Sequence, residues 1–380
     1  MESNKKKIFY WSPSLVNIAT NIAVINSAYS INRYGEKFDC YIINFFGEFE
    51  RYSSIILDKK IKLINYFNKS IINYLPKYGK LKSRFSFIVI FLMSFFPLKN
   101  LIKQKNPDYL IIHLITSLPL FLLIIFNFKT KFILRISGMP RMGIVRKFLW
   151  KLASKKIHLI TCPTNNTMNF IKSLNIIDSN KIKLLYDPII EVKDINLKKK
   201  EKISETKDFF LAIGRFTKQK NFIFLCDAFK ETLKESNKNK LIIVGDGEEK
   251  KKIEDYINKN NLNDYIKLKG FKKNIFPYFS KAKGFILSSL WEDPGFVLIE
   301  AGYCRVPIFS SNCKPGPAEL IKDNFNGTVF ESNNLISFKT KFKEFLDNCK
   351  NNNLILNNLI GVKKFTIFNH YLSLMKILNS

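Results

Sequence analysis

Gly284-Phe285-Ile286-Leu287-Ser288-Ser289-Leu290-Trp291-Glu292-Asp293-Pro294-Gly295-Phe296-Val297-Leu298-Ile299-Glu300 reads as a buried strand, a carboxylate-bearing turn and the first turns of a helix. Unbroken apolar residues ahead of Ser288 suit a strand covered on both faces. Pro294-Gly295 suits a helix start, where a proline N–H is not needed. The amides of Phe296 and Val297 then lack partners within the helix and can hold an anion. Glu292 and Glu300 stand on either side of that position, within reach of the hydroxyls of a sugar or ribose. The plainer alternative is two helix-start acids favoured by the helix dipole.

Strand and helix patterns alternate outward from this segment in both directions. Upstream, strands are expected at Lys7–Trp11, Phe38–Asn44, Asp108–Leu114, Lys131–Ser137, His158–Pro163 and Lys183–Tyr186. Helical spacing joins Ile18, Ile22, Ile25 and Ile31, and helices are expected over Pro119–Phe128 and Val145–Ser154. The polar stretch Glu191–Lys207, with lysines at 198–200, reads as an exposed linker. Alternation restarts at Phe209 and runs to Phe330. The fold class expected is α/β, two Rossmann-like doubly wound parallel-sheet domains. Their bounds are 1–190 and 208–362, with 191–207 as linker. The amphipathic end, 363–380, is expected as a helix able to pack back on the first domain.

Composition narrows the function. The 380 residues suit two domains with their own cores. The net charge of +31 is uneven: residues 1–200 hold 33 Lys/Arg against 11 Asp/Glu, and residues 201–380 hold 29 against 20. A basic face attracts phosphate-rich partners, either nucleic acid or anionic membrane. A solvated lysine-rich surface is the plainer reading. Cys40, Cys162, Cys226, Cys304, Cys313 and Cys349 form no C-x-x-C pair, and three histidines give no zinc cluster. Scattered cysteines suit buried free thiols in a cytosolic protein, and the start, Met1-Glu2-Ser3-Asn4-Lys5, reads as no secretory signal. The longest apolar run, Phe85–Leu98, spans 14 residues, below the roughly 20 that a crossing helix needs. Lys80, Lys82, Arg84, Lys99, Lys103 and Lys105 flank it. It reads as a core helix or as an interfacial membrane segment.

Three further loops follow strands directly, where ligands bind in such sheets. Gly214 ends one strand, and Arg215 and Lys220 follow before the next helix. A guanidinium fork and a point charge there suit a diphosphate; a solvated basic loop is the alternative. Val244-Gly245-Asp246-Gly247 falls short of a dinucleotide fingerprint and reads as a tight turn with Asp246 as a helix cap. Gly316-Pro317-Ala318-Glu319 fixes a fourth loop, with Glu319 in a helix's first turn.

Taken in order, Gly214-Arg215 with Lys220, Val244-Gly245-Asp246-Gly247, Glu292 with Glu300, and Gly316-Pro317-Ala318-Glu319 resemble the retaining GT-B-fold glycosyltransferases, the group also called glycosyltransferase family 4 (glycosyl transferases group 1). The resemblance covers about residues 209–330 and implies two domains facing across a cleft. It implies that Arg215 and Lys220 neutralise a donor diphosphate, that Glu292 contacts the transferred sugar and that Glu300 binds the nucleotide ribose. Gly214 and the backbone of Gly295, Phe296 and Val297 would complete the donor site. No cofactor and no metal are implied, and no Asp-x-Asp occurs. The first domain departs from the pattern: Ser12-Pro13-Ser14-Leu15-Val16-Asn17 lacks the usual glycine pair. His113 and Arg141 are its candidates for acceptor or cleft contacts, and His113 reads equally as a core residue.

The expected function is transfer of a sugar from a nucleoside-diphosphate sugar to an acceptor hydroxyl with retention, in cell-surface polysaccharide or lipopolysaccharide synthesis. Expected partners are a nucleotide sugar, a saccharide or lipid-linked acceptor and an anionic membrane surface, with no nucleic acid. The expected place is the cytoplasm, peripheral on the inner face of the membrane. A nucleotide-sugar epimerase of similar fold is the alternative. A basic membrane- or nucleic-acid-binding protein is a further one, which the paired glutamates argue against.

Overall fold

The computed structural model describes all residues except 1–4, 17, 68–70, 77–79, 207, 235–238 and 380, and only the backbone of 80, 81 and 83. Asn17 of the first loop, Lys207 of the expected linker and Met1–Asn4 therefore lie outside the described residues. The chain divides into two units, Met1–Pro188 with Ile367–Ser380, and Ile189–Thr366.

The first unit runs β1 (Lys6–Trp11), α1 (Ala19–Tyr34), β2 (Phe38–Asn44), α2 (Ser53–Asp58), β3 (Lys62–Asn65), α3 (Ile71–Tyr74), α4 (Lys80–Lys105), β4 (Tyr109–Ile112), α5 (Ser117–Ile125), β5 (Lys131–Arg135), α6 (Ile144–Ala153), β6 (Leu159–Cys162), α7 (Asn165–Ser173) and β7 (Ile182–Leu184). Its strands form one sheet in the order β3-β2-β1-β4-β5-β6-β7, every described pairing parallel. Alternate residues of each strand feed opposite faces. Trp11, Leu110, Ile112 and Leu134 pack under α4, α5 and α6. Tyr10, Ile111 and Ile133 pack with Val24 and Ile31 of α1 on the other face.

The second unit runs α8 (Val192–Lys198), β8 (Phe209–Ile213), α9 (Phe222–Leu233), β9 (Leu241–Val244), α10 (Lys250–Lys259), β10 (Ile266–Leu268), α11 (Phe276–Lys281), β11 (Ala282–Leu287), α12 (Phe296–Tyr303), β12 (Ile308–Ser311), α13 (Gly316–Leu320), β13 (Thr328–Phe330), α14 (Leu335–Asn348) and α15 (Asn352–Val362). Its parallel sheet has the order β10-β9-β8-β11-β12-β13. The core is built largely of phenylalanine: Phe309 stacks on Phe345 at 5.0 Å, and Phe338 on Phe342 at 5.8 Å. Each such ring contributes roughly 1.5–3 kcal/mol by burial. Gly284 in β11 makes room for this layer, because a Cβ there would sit 2.5 Å from Phe345 Cζ. The last helix, α16 (Ile367–Asn379), belongs to the first unit and packs on α1. Tyr109 donates its hydroxyl to the Leu378 carbonyl at 2.8 Å.

Two expectations are corrected and one strand is added. Residues 192–198, read as linker, form α8, with Ile195 buried and an Asp194–Lys198 ion pair one turn apart at 2.7 Å. Its apolar positions are few, and the lysines after it mask the helical spacing. The 14-residue apolar run lies inside a 26-residue helix with Pro97 within it. By length and composition, Arg84–Lys105 of that helix is long and apolar enough to cross a membrane. The edge strand β3 was not expected, because Lys62-Leu63-Ile64-Asn65 is short and half exposed.

Candidate functional site

In the second unit the order β10-β9-β8-β11-β12-β13 sets β11 between β8 and β12. The loops that leave these three strands therefore meet, although they are far apart in sequence. Gly214 directly follows β8, Arg215 is exposed, and a short turn brings Lys220 to the start of α9. The stem of Lys220 crosses Gly214 so closely that a Cβ on the glycine would sit 2.7 Å from Lys220 Cε. From there the ammonium donates to Glu292 Oε1. Ser289, two residues past β11, donates its hydroxyl to the same oxygen at 2.8 Å. Glu292 is buried, so its charge is held by a paired cation and a hydroxyl away from bulk water.

Main-chain bonds fix the loops around this pair. Ser288 donates to the Lys220 carbonyl, Leu290 N–H to the Gln219 carbonyl and Gln219 to the Trp291 carbonyl, each at 2.8 Å. Gly316 N–H donates to the Glu292 carbonyl at 2.8 Å, and Ser311 donates to the Ser289 carbonyl. A Cβ on Gly316 would fall 2.1 Å from the Pro294 carbonyl oxygen, so only glycine fits that approach. Gly295 serves a different need: it is the N-cap of α12 at φ +94°, a conformation that disfavours side chains. Phe296 and Val297 open α12, with first-turn amides that the helix itself leaves unpaired.

Glu300 sits in α12. Burial pushes its carboxyl up to about 7, partly offset by Lys220 and Lys198. One ammonium thus acts on both glutamates, by a direct bond to Glu292 and through space on Glu300.

The structure brings Gly214, Arg215, Lys220, Glu292, Gly295, Phe296, Val297 and Glu300 into the second unit. His113 and Arg141 lie in the first. His113 follows β4; its N–H donates to the Trp11 carbonyl at 2.8 Å, and its ring is buried 3.5 Å from Ser137 Oγ. Burial, then the Arg135 charge, holds its imidazole well below the usual range. Arg141 is exposed on the loop before α6.

Asp246 does not cap a helix: it accepts from Gly247 N–H at 2.9 Å, and α10 begins only at Lys250. The Gly-Asp-Gly turn instead packs on the loop after β8, where a Cβ on Gly245 would lie 1.8 Å from the Gly214 carbonyl oxygen. Sequence reading missed Ser288, Ser289 and Ser311; hydroxyls at the ends of apolar strands were the available signal. It also missed the Lys220–Glu292 pair, whose members are 72 positions apart.

A family model described as glycosyl transferases group 1 matches residues 193–358. The chain is 32% identical over 247 residues to an uncharacterized glycosyltransferase of Methanocaldococcus jannaschii, covering 60% of this chain and 61% of that one. It is 29% identical over 208 residues to the Campylobacter jejuni N-acetylgalactosamine-N,N'-diacetylbacillosaminyl-diphospho-undecaprenol 4-alpha-N-acetylgalactosaminyltransferase, covering 55% and 56%. The chain thus spans less than two thirds of the length of either relative. In fold it is similar to Anabaena Alr3699/HepE, solved with UDP and glucose, at a TM-score of 0.72 and 15% identity over 99% of this chain and 100% of that one. TarM is similar at a TM-score of 0.74 and 14% identity, covering 100% of each chain. Residues 193–358, which fill most of the second unit, thus match the glycosyl transferases group 1 family, in a chain whose two doubly wound parallel sheets have the GT-B fold.

Proposed function

We propose that the chain transfers a sugar from a nucleoside-diphosphate sugar to an acceptor hydroxyl, with retention and without a metal. The observation that carries this reading is the cluster of Lys220, Glu292 and Ser289 beside the start of α12, with Arg215 exposed on the adjoining loop. In the reaction the bond from the anomeric carbon to the diphosphate oxygen breaks, and the electron pair stays on the diphosphate. The acceptor oxygen bonds to the same face of the sugar, and its proton passes to the departing diphosphate. Arg215, Lys220 and the amides of Phe296 and Val297 meet the charge that develops, as preorganised donors. Glu292 contacts the sugar, and Glu300, as the carboxylate, accepts from the ribose diol. His113 and Arg141 are assigned to the acceptor side.

Several relatives carry names that specify undecaprenol-diphosphate-linked acceptors or lipopolysaccharide. These names support a lipid-linked saccharide as acceptor and cell-surface polysaccharide synthesis as the setting, and the cytoplasmic side of the membrane is the place we propose for it. The test is a panel of nucleotide sugars with EDTA present, read as release of nucleoside diphosphate. Release with at least one donor is expected. No binding or release with any donor overturns the reading, and epimer formation without release reassigns the site.

A further inference from the structure

Helix α4 has two unlike faces. Ser86, Ile90, Ser94, Leu98 and Ile102, four residues apart, are buried against the first unit. Phe85, Ile88, Leu92 and Phe96 lie on the opposite face and are exposed, Leu92 at 66% and Phe96 at 63%. That outer stripe runs on into Lys99 and Lys103, whose ammonium groups lie 4.7 Å and 5.5 Å from the Phe126 ring. Helix α5 packs on both α4 and α6 and carries exposed Phe121, its ring 5.8 Å from that of Phe91. Helix α6 repeats the pattern of α4. Trp150 and Ala153 face inward, while Ile144, Val145, Phe148 and Leu152 face outward, Ile144 at 89% exposure.

Cations share these helices, Arg84, Lys99 and Lys103 on α4 and Arg146, Lys147 and Lys151 on α6. From Lys82 to Lys156 the sequence has fourteen Lys or Arg and one acid, Asp108, a net of +13. All of those cations except Arg135 reach the surface. An apolar patch that shares its helices with exposed cations matches an anionic lipid surface in both its parts.

We propose that the outer face of α4, α5 and α6 docks in the plane of an anionic bilayer. Leu92, Phe96, Ile144 and Phe148 enter the boundary between headgroups and acyl chains, and the lysines meet lipid phosphates. Helix α4 lies on the membrane rather than crossing it, because its inner stripe is committed to the core of the first unit along its length. A second copy is a poor occupant, since two strongly cationic faces would repel. Nucleic acid would meet the cations but leave the protruding aliphatic groups without apolar contact. The inference stands apart from the donor site and needs no nucleotide sugar to be tested.

The experiment is cosedimentation of the full chain with phosphatidylcholine vesicles, with and without phosphatidylglycerol, at low and high salt. Binding is expected only with phosphatidylglycerol, and it should weaken with salt. The variants L92Q/F96Q and I144Q/F148Q replace exposed side chains, so their melting curves should match the parent. Each pair should lower vesicle partition about tenfold or more, and K147Q/K151Q should lower it too. Absence of binding to the anionic vesicles overturns the inference. So does salt-sensitive binding that both apolar pairs leave intact, which would assign the face to a polyanion read by charge alone. Self-association that occurs without lipid and is lost in I144Q/F148Q would assign it to a second copy.

Discussion

Lys220 reaches Glu292 only because Gly214 has no side chain: its Cδ and Cε pass 2.9 Å and 2.7 Å from the position a Cβ would take. The first prediction contrasts this glycine with Gly316. In Gly214→Ala the clashing atoms are methylenes of a flexible stem, so stability should fall by about 1 kcal/mol or less while the ammonium leaves Glu292. Titration calorimetry should then show weakened nucleoside diphosphate binding in a folded protein. In Gly316→Ala the clash is with a backbone oxygen 2.1 Å away, and about 3 kcal/mol or more of stability should be lost. Equal effects of the two substitutions on unfolding would refute this account of Gly214.

The buried ion pair gives a second prediction. The side chains of Lys220 and Glu292 are 12% and 10% accessible, so removing the cation leaves a buried carboxylate that, among the described residues, keeps the Ser289 hydroxyl as its donor. Lys220→Met should cost about 3 kcal/mol in urea unfolding, near the lower end for a broken buried pair. Glu292→Gln keeps an oxygen for both donors and should cost about 1 kcal/mol. The double variant should be more stable than Lys220→Met. Strict additivity of the two losses would mean that the residues are not coupled.

Glu300 gives a third, with a defined sign. Its folded value is raised to about 7 by burial, above the ordinary carboxylate value of 4.5. Between pH 4.5 and 7 the unfolded chain ionises this group and the folded chain does not. Stability therefore falls through that window and stays lower above it, by on the order of 3 kcal/mol at most. Glu300→Gln should remove that slope and raise the melting temperature at pH 8. The ribose contact proposed for Glu300 needs the ionised form, so nucleoside diphosphate binding should tighten more steeply from pH 6 to pH 8 in the parent than in Glu300→Gln. A parent profile as flat as the variant's would remove Glu300 from nucleotide recognition.

Particular residues show how far the sequence carried. Phe209–Ile213 and Leu241–Val244 are unbroken apolar runs, and a strand covered on both faces leaves little else for such runs to be. Lys220 and Glu292 were each legible as strand-end polar residues. Their pairing was not, because it depends on β11 lying beside β8, a choice of strand order that no local signal encodes. Gly245 was legible as a turn glycine, yet its reason is the Gly214 carbonyl from another loop. Counting uninterrupted apolar residues in α4 undercounted the helix, since Lys82 and Lys103 keep their charges in water while the backbone stays helical.

The last prediction concerns the helix that closes the first unit. His370 Nδ1 lies 2.7 Å from the Tyr186 carbonyl, so that nitrogen carries the proton and donates. Nε2 is then the acceptor, and Ser27 donates to it at 2.8 Å while accepting from the Tyr10 hydroxyl at 2.9 Å. Burial holds His370 down at about 3, with the Arg135 charge acting in the same direction. Between pH 6.5 and 3 the unfolded chain takes up a proton that the folded chain refuses. Stability is therefore full above pH 6.5 and is lost as pH falls, by about 2 kcal/mol at pH 5. His113, also held below its usual range by burial, adds to the same slope. Trp11 and Trp150 are both buried in this unit and report its unfolding by fluorescence, and Trp291→Phe silences the exposed tryptophan of the other. His370→Gln should be less stable at pH 7, by about 1–3 kcal/mol for the disturbed chain of hydrogen bonds. It should also lose part of its acid sensitivity between pH 6.5 and 5. A variant with undiminished acid sensitivity would show that protonation elsewhere in the unit, with His113 the next residue to replace, drives the loss.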